Sequence, residues 1–163
     1  MRFIKLFWGV ALSGVAAVGV AAPTFTLTSH VGDHWAYELS NAGAEQGQFL
    51  FVVDLSLGLD IQNISSPTGW DPFFTSGSGV VDWVSSDLSF DLAPDSSLDG
   101  FAFDAPKAVE QDGGFNSTFW DHNSDSDGGT YFGSTIIPGA VPEPATCAAL
   151  ALGAAVMLRR RVS

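Results

Sequence analysis

Four oxygen-bearing side chains, Asp121, Asn123, Asp125 and Asp127, occupy alternate positions immediately before Gly128. In an extended or looped backbone such residues share a face, and oxygens so arranged suit a hard cation such as calcium. With Asn123 as the first position of a calcium loop, Asp125 and Asp127 take the third and fifth and Gly128 the sixth. The twelfth, where a bidentate acid is required, is Ser134. A solvated hairpin loop accounts for these residues without an ion, so no cofactor or metal is expected, with calcium at the 121–127 loop as the alternative.

Other combinations are weaker. His30 and His34 are spaced to share a zinc ion on a helix, but Gly32 lies between them in an extended pattern, so the rings are expected to point apart. His122 has no evident serine or cysteine partner. Gly77-Ser78-Gly79 reads as a flexible turn, and the Gly-x-Ser-x-Gly elbow of serine hydrolases does not occur. A carboxylate pair can hydrolyse a glycosidic bond, yet no pair stands out. Asp54, Asp60, Asp82 and Asp91 fall on outward strand positions or in turns, where they keep the surface wet. Trp35, Trp70, Trp83 and Trp120 are candidates for stacking on sugars, although core or half-core placement is the default for tryptophan. The sequons at Asn63 and Asn116 would be loop acceptors only in a eukaryotic secretory route and are assigned no role. No catalytic residue is assigned, and the chain is expected not to be an enzyme.

The elements that must position these residues are strands. Trp35, Tyr37 and Leu39 alternate with polar neighbours, and the apolar residues from Phe49 to Ile61 fall on odd positions, with Gly58 able to bend or divide the run. Further strands are expected over 70–75, 79–84, 88–92 and 97–103, and a closing pair over 115–120 and 129–137. Turns are marked by Ser66-Pro67-Thr68-Gly69 and Ala93-Pro94-Asp95. No sustained helical period occurs in the body. Short strands, aromatic and turn-separated, predict an all-β antiparallel two-sheet sandwich of about seven to nine strands, Ig-like or jelly-roll in character.

Charge and cysteine usage narrow the function. Residues 22–140 carry 17 acids against Lys107, the one basic residue there, a surface that repels nucleic acid and anionic headgroups. The one cysteine, Cys147, lies outside that body, so no disulfide staples it.

Both ends are apolar. Arg2 and Lys5 precede an uncharged run over 6–20, and Gly19 and Ala21 suit a cut after Ala21, so 1–21 reads as a signal peptide, handled by signal peptidase and the general secretion machinery. At the other end stand Val141, Pro142, Glu143 and Pro144, then an apolar segment over 145–158, then Arg159, Arg160 and Arg161 in the tail 159–163. The prolines hold the motif out of helix and sheet, in extended geometry that a protease cleft can grip. As a helix the segment of 14 residues spans about 21 Å, short of a hydrocarbon core of about 30 Å. The arginines belong on the cytoplasmic side.

This order of motif, short helix and basic tail resembles the PEP-CTERM sorting signal, the tag that hands exported proteins to the membrane protease exosortase. Trp35-Ala-Tyr37-Glu-Leu39-Ser-Asn41, Ser66-Pro-Thr-Gly-Trp70 and Leu98-Asp-Gly-Phe-Ala-Phe103 also resemble strings in small PEP-CTERM proteins with a single β-sandwich domain. The resemblance implies a sandwich domain over 22–137, a linker over 138–144 and transient residence of 145–158 in the inner membrane. It further implies cleavage by exosortase and a mature protein at the cell surface or in the matrix, accompanying exopolysaccharide and biofilm. A carbohydrate- or calcium-binding lectin-like module is the alternative function.

Overall fold

The computed structural model describes residues 22–141. The expected signal peptide over 1–21, the motif residues Pro142, Glu143 and Pro144, the expected transmembrane helix over 145–158 and the arginines Arg159, Arg160 and Arg161 lie outside the described residues.

Alternation of apolar and polar residues puts one face of each strand inside, and here it does so in two sheets. The strands are β1 (Thr24–Val31), β2 (His34–Ser40), β3 (Gln48–Ser56), β4 (Gln62–Ser65), β5 (Trp70–Phe74), β6 (Val80–Ser85), β7 (Ser97–Asp104), β8 (Ala108–Asp121) and β9 (Ser126–Ala140). All pairings are antiparallel. A four-stranded sheet in the order β1-β2-β7-β4 packs on a five-stranded sheet in the order β5-β6-β3-β8-β9.

The inward residues of both sheets meet in an aromatic core. Phe25 stacks on Tyr37 at 4.9 Å, while Trp83 from the opposite sheet meets Phe101 edge-on at 5.6 Å. Such offset and edge-on pairs add about 0.5–1.5 kcal/mol each to the burial of large rings. The Trp83 indole N–H donates to the Ser65 carbonyl at 3.0 Å, tying β6 to β4 across the sheets. Asn41, buried at the end of β2, donates through Nδ2 to the carbonyls of Gln48 and Leu92, both at 3.0 Å.

Several boundaries differ from the sequence pattern. The odd-numbered apolar run divides at Gly58, whose φ is +68°. Its first part is β3, in the five-stranded sheet, and the rest, through Ile61, forms the connection to β4 in the other sheet. Residues 88–92 do not form the expected strand. Leu88–Phe90 is a 3₁₀ turn capped by the Asp87 carboxylate, which accepts from Ser89 N–H, and Leu92 makes one bridge to Leu50. The alternation there misleads because Leu88 and Phe90 are exposed. β1 appears beyond the expected set, built from Phe25 and Leu27 alternating with threonines.

The closing pair is longer than expected. The first half of β8 has little apolar alternation and is held by pairing with β9 from Ala108↔Ala140 onward. Pro138 and Gly139, expected in the linker, are buried strand residues. The sheet therefore continues to Ala140, and only Val141 separates it from Pro142.

Ser66-Pro67-Thr68-Gly69 forms the turn into β5. Gly69 adopts φ +83°, and a Cβ there would run into the Phe90 ring. That ring is held by its own backbone, since Trp70 Nε1 donates to the Phe90 carbonyl at 3.0 Å.

Candidate functional site

The acidic residues singled out in the sequence sit where β8 turns into β9, and each carboxylate is engaged locally. Asp121 Oδ1 accepts from the Asn123 N–H at 2.8 Å and its Oδ2 from the Ser124 hydroxyl at 2.8 Å. These bonds, the Ser124 hydroxyl first, hold the Asp121 carboxyl below the ordinary carboxylate range. Asp125, at φ +51°, accepts from the Trp120 indole N–H at 3.3 Å. Asp127 accepts from the Gly129 N–H at 2.7 Å. Asn123 turns the other way and donates to the Gln46 carbonyl at 2.9 Å. Among the described residues no group of three or more His, Cys, Asp or Glu side chains is placed to hold a metal ion. The close approach of Asn123 to Gly47, at φ +106°, leaves no room for a Cβ at that position.

His122 has a partner that the sequence did not reveal. Its Nε2 lies 2.9 Å from Asp91 Oδ2, and its ring stacks on Phe49 at 3.9 Å with planes 9° apart. The Ser85 hydroxyl donates to the other Asp91 oxygen. Asp91, expected to keep the surface wet, has a side chain only 2 % exposed. Its burial follows from the 3₁₀ turn, which swings residue 91 inward where a strand would have turned it outward. Serine, histidine and aspartate thus meet with the carboxylate in the middle. Nucleophilic catalysis needs the base on the hydroxyl, so this arrangement clamps the loop and does not activate Ser85.

The remaining candidates separate. His30 Nδ1 lies 3.0 Å from Glu110 and its ring stacks on Trp35 at 3.8 Å, whereas His34 Nδ1 meets Asp104 at 2.8 Å. Asp104 also accepts from Asn63 Nδ2 at 2.7 Å, and the two bonds, Asn63 first, lower its pKa. Trp35, Trp70 and Trp83 are core residues. Trp120 is half-buried beside the acidic loop, edge-on to Phe51 at 6.3 Å.

A carboxylate pair missed in the sequence does exist. Asp54 and Asp82 are direct partners across β3 and β6, on the outer face of the five-stranded sheet. Burial first and the Asp82 charge second push Asp54 up to about 6. Asn116 stands opposite Asp54 on the other side, and Phe132 opposite Asn116. Register alone places them together, and register across strands is not written in local sequence. A cleft of about 260 Å³ between the β3–β4 and β5–β6 connections has one carboxylate among its lining residues, Asp60. Asp60 accepts from the Gly77 N–H at 2.9 Å and the Ser76 hydroxyl at 3.2 Å, which closes the β5–β6 turn. Of the sorting-motif residues only Val141 is described, and it is exposed directly after β9.

The fold and side-chain geometry define an all-β protein with two antiparallel sheets. No family model matches the chain. No curated protein matches it either. Among solved structures it is similar to an uncharacterized protein from Nocardia farcinica described as having an immunoglobulin-like fold, with TM-score 0.46 and 9 % identity over 76 % of this chain and 91 % of that one. It is also similar to the full-length major pilin SpaD from Corynebacterium diphtheriae, with TM-score 0.43 and 14 % identity, over 70 % of this chain and 32 % of the pilin.

Proposed function

We propose that this protein is an exported, non-enzymatic sandwich domain, delivered by its C-terminal tag to exosortase and retained at the cell surface or in the extracellular matrix. The observation that carries the reading is the order Pro142-Glu143-Pro144, apolar 145–158, Arg159-Arg160-Arg161, which begins one residue after Val141. A protease that cut at the motif would act directly beside the folded domain, where Val141 is exposed. Nine strands divided four and five favour an Ig-like arrangement over a jelly roll built from eight.

The chemistry of the body supports a structural or adhesive role. Its acidic surface suits a hydrated matrix, and its aspartates and histidines are largely engaged with one another or with backbone. The reading is tested by mass spectrometry of the protein recovered from intact cells, with and without the exosortase gene. Cleavage near residues 142–144 that disappears in the deletion strain is expected. An uncut tail in both strains would overturn the proposal. A glycan array with and without calcium tests the lectin-like alternative on the same material.

A further inference from the structure

Edge strands expose unpaired N–H and C=O groups, and proteins guard them with proline, bulges, charge or shortness. Three of the four edges here are guarded. β5 contains Asp71 and Pro72. β4 has four residues, an irregular ladder and Asn63 at φ +52°. β1 slips register between Leu27 and Ser29. β9 differs: its ladder with β8 is regular from Gly129 to Ala140. In a body with 17 acids, residues 128–141 carry no charged side chain. Phe132, in the middle of this stretch, is 73 % exposed. β1 packs beside β9 without joining its sheet, and His30 of β1 reaches Glu110, which stands opposite Pro138. That contact lies at the C-terminal half of β9, while Gly129, Thr130, Phe132 and Ser134 in its middle are exposed.

We propose that the free edge of β9, centred on Phe132, pairs antiparallel with β9 of a second copy, joining two five-stranded sheets across a two-fold axis. The register is self-complementary. Phe132 faces its symmetry mate, with Thr130 against Ser134 on both sides, an aromatic pair flanked by hydroxyls on the exposed face. On the inner face Tyr131 falls opposite Gly133, which adds no side chain of its own and is covered by the Phe115 and Tyr131 rings of its own chain. Main-chain hydrogen bonds supply the affinity, as in other strand-addition complexes.

Charge allows a copy of the same chain to pair at this edge and opposes such pairing at β5. Along the row Phe132, Asn116, Asp54, the first acid stands two strands inside the edge. Asp54 and its mate would be five strand spacings apart, about 24 Å, well beyond a screening length of about 8 Å at physiological salt. Pairing through β5 would instead bring Asp71 and Asp82 of both copies toward the joint.

The test uses the full chain in a non-ionic detergent. Sedimentation velocity over a concentration series reads the stoichiometry, and hydrogen exchange with mass spectrometry reads the amides of 129–135. A dimer whose 129–135 amides gain protection with concentration is expected. Phe132→Glu, at an exposed position, should weaken that dimer about tenfold or more with an unchanged near-UV spectrum. Four results would each overturn the proposal: a monomer throughout, open-ended polymers, a dimer that leaves 129–135 exchange unchanged, or a dimer indifferent to Phe132→Glu. The third would identify association through another surface, the apolar termini included.

Discussion

Replacing Asp54 with asparagine should stabilise the domain at pH 8 and change little at pH 4. Asp54 and Asp82 face each other across β3 and β6 with Val52 and Val84 as the next paired row. The body's one basic residue, Lys107, lies between β7 and β8, far along the chain from both carboxylates. Burial and like charge raise Asp54 from 3.8 to about 6. A carboxyl with a raised folded pKa binds its proton more tightly in the native state than in the unfolded one. The folded state therefore carries a penalty that is complete above about pH 6, shrinks as pH falls through that value and vanishes below 3.8. A rise of that size corresponds at most to about 3 kcal/mol. Asp54 is only half-buried, and solvent screening reduces the figure to about 1–2 kcal/mol. In a domain of this size that is about 4–8 °C in Tm.

Thermal melts of wild type and Asp54→Asn from pH 8 to pH 4 measure it. The difference between the two curves isolates the pair, because the acid limb is common to both. That limb comes from Asp87, Asp104 and Asp121, whose lowered pKa values give stability that is lost as pH falls below 3.8 toward their folded values. A variant no more stable than wild type at pH 8, or a gain of equal size at pH 4, would refute the reasoning.

Gly69→Ala should cost about 1–3 kcal/mol in urea unfolding, since it combines a left-handed φ with a collision against the Phe90 ring; a neutral result would show that the turn relaxes freely. Asp91→Ala should cost about 1–3 kcal/mol by orphaning His122 Nε2 and leaving the Ser85 hydroxyl only the Asp87 carbonyl. It should also speed amide exchange at 122–125, and unchanged exchange there would remove the clamp. Tyr37→Phe should be neutral or stabilising by about 1 kcal/mol, because the buried hydroxyl has no hydrogen-bond partner. A clear loss of stability in that variant would show that the hydroxyl is bonded.

Local periodicity was enough to anticipate β2, β3, β5, β6 and β7 and the sandwich they form, because a two-residue period on a half-buried strand depends on neighbours in the chain. It failed where the cause is not local. Leu88 to Leu92 alternates like a strand, but Asp87 caps a 3₁₀ turn there, so Leu88 and Phe90 stay outside and only Leu92 enters the core. Ala108 to Gly114 shows little alternation yet is strand, because β9 supplies its hydrogen bonds. Pro138 and Gly139 look like linker and are buried strand residues for the same reason.

The candidate site divides along the same line. Composition and order alone determined an acidic, cysteine-free body, the oxygen-rich turn at 121–127 and the tripartite C-terminus, since these need only residue types and spacing along the chain. Tertiary structure decided that Asp91 lies under His122, that Asp54 confronts Asp82 and that Phe132 stands on an uncharged edge. Those placements depend on strand register and sheet order, which arise from pairing between segments distant in the chain and leave no local trace in the residues they bring together.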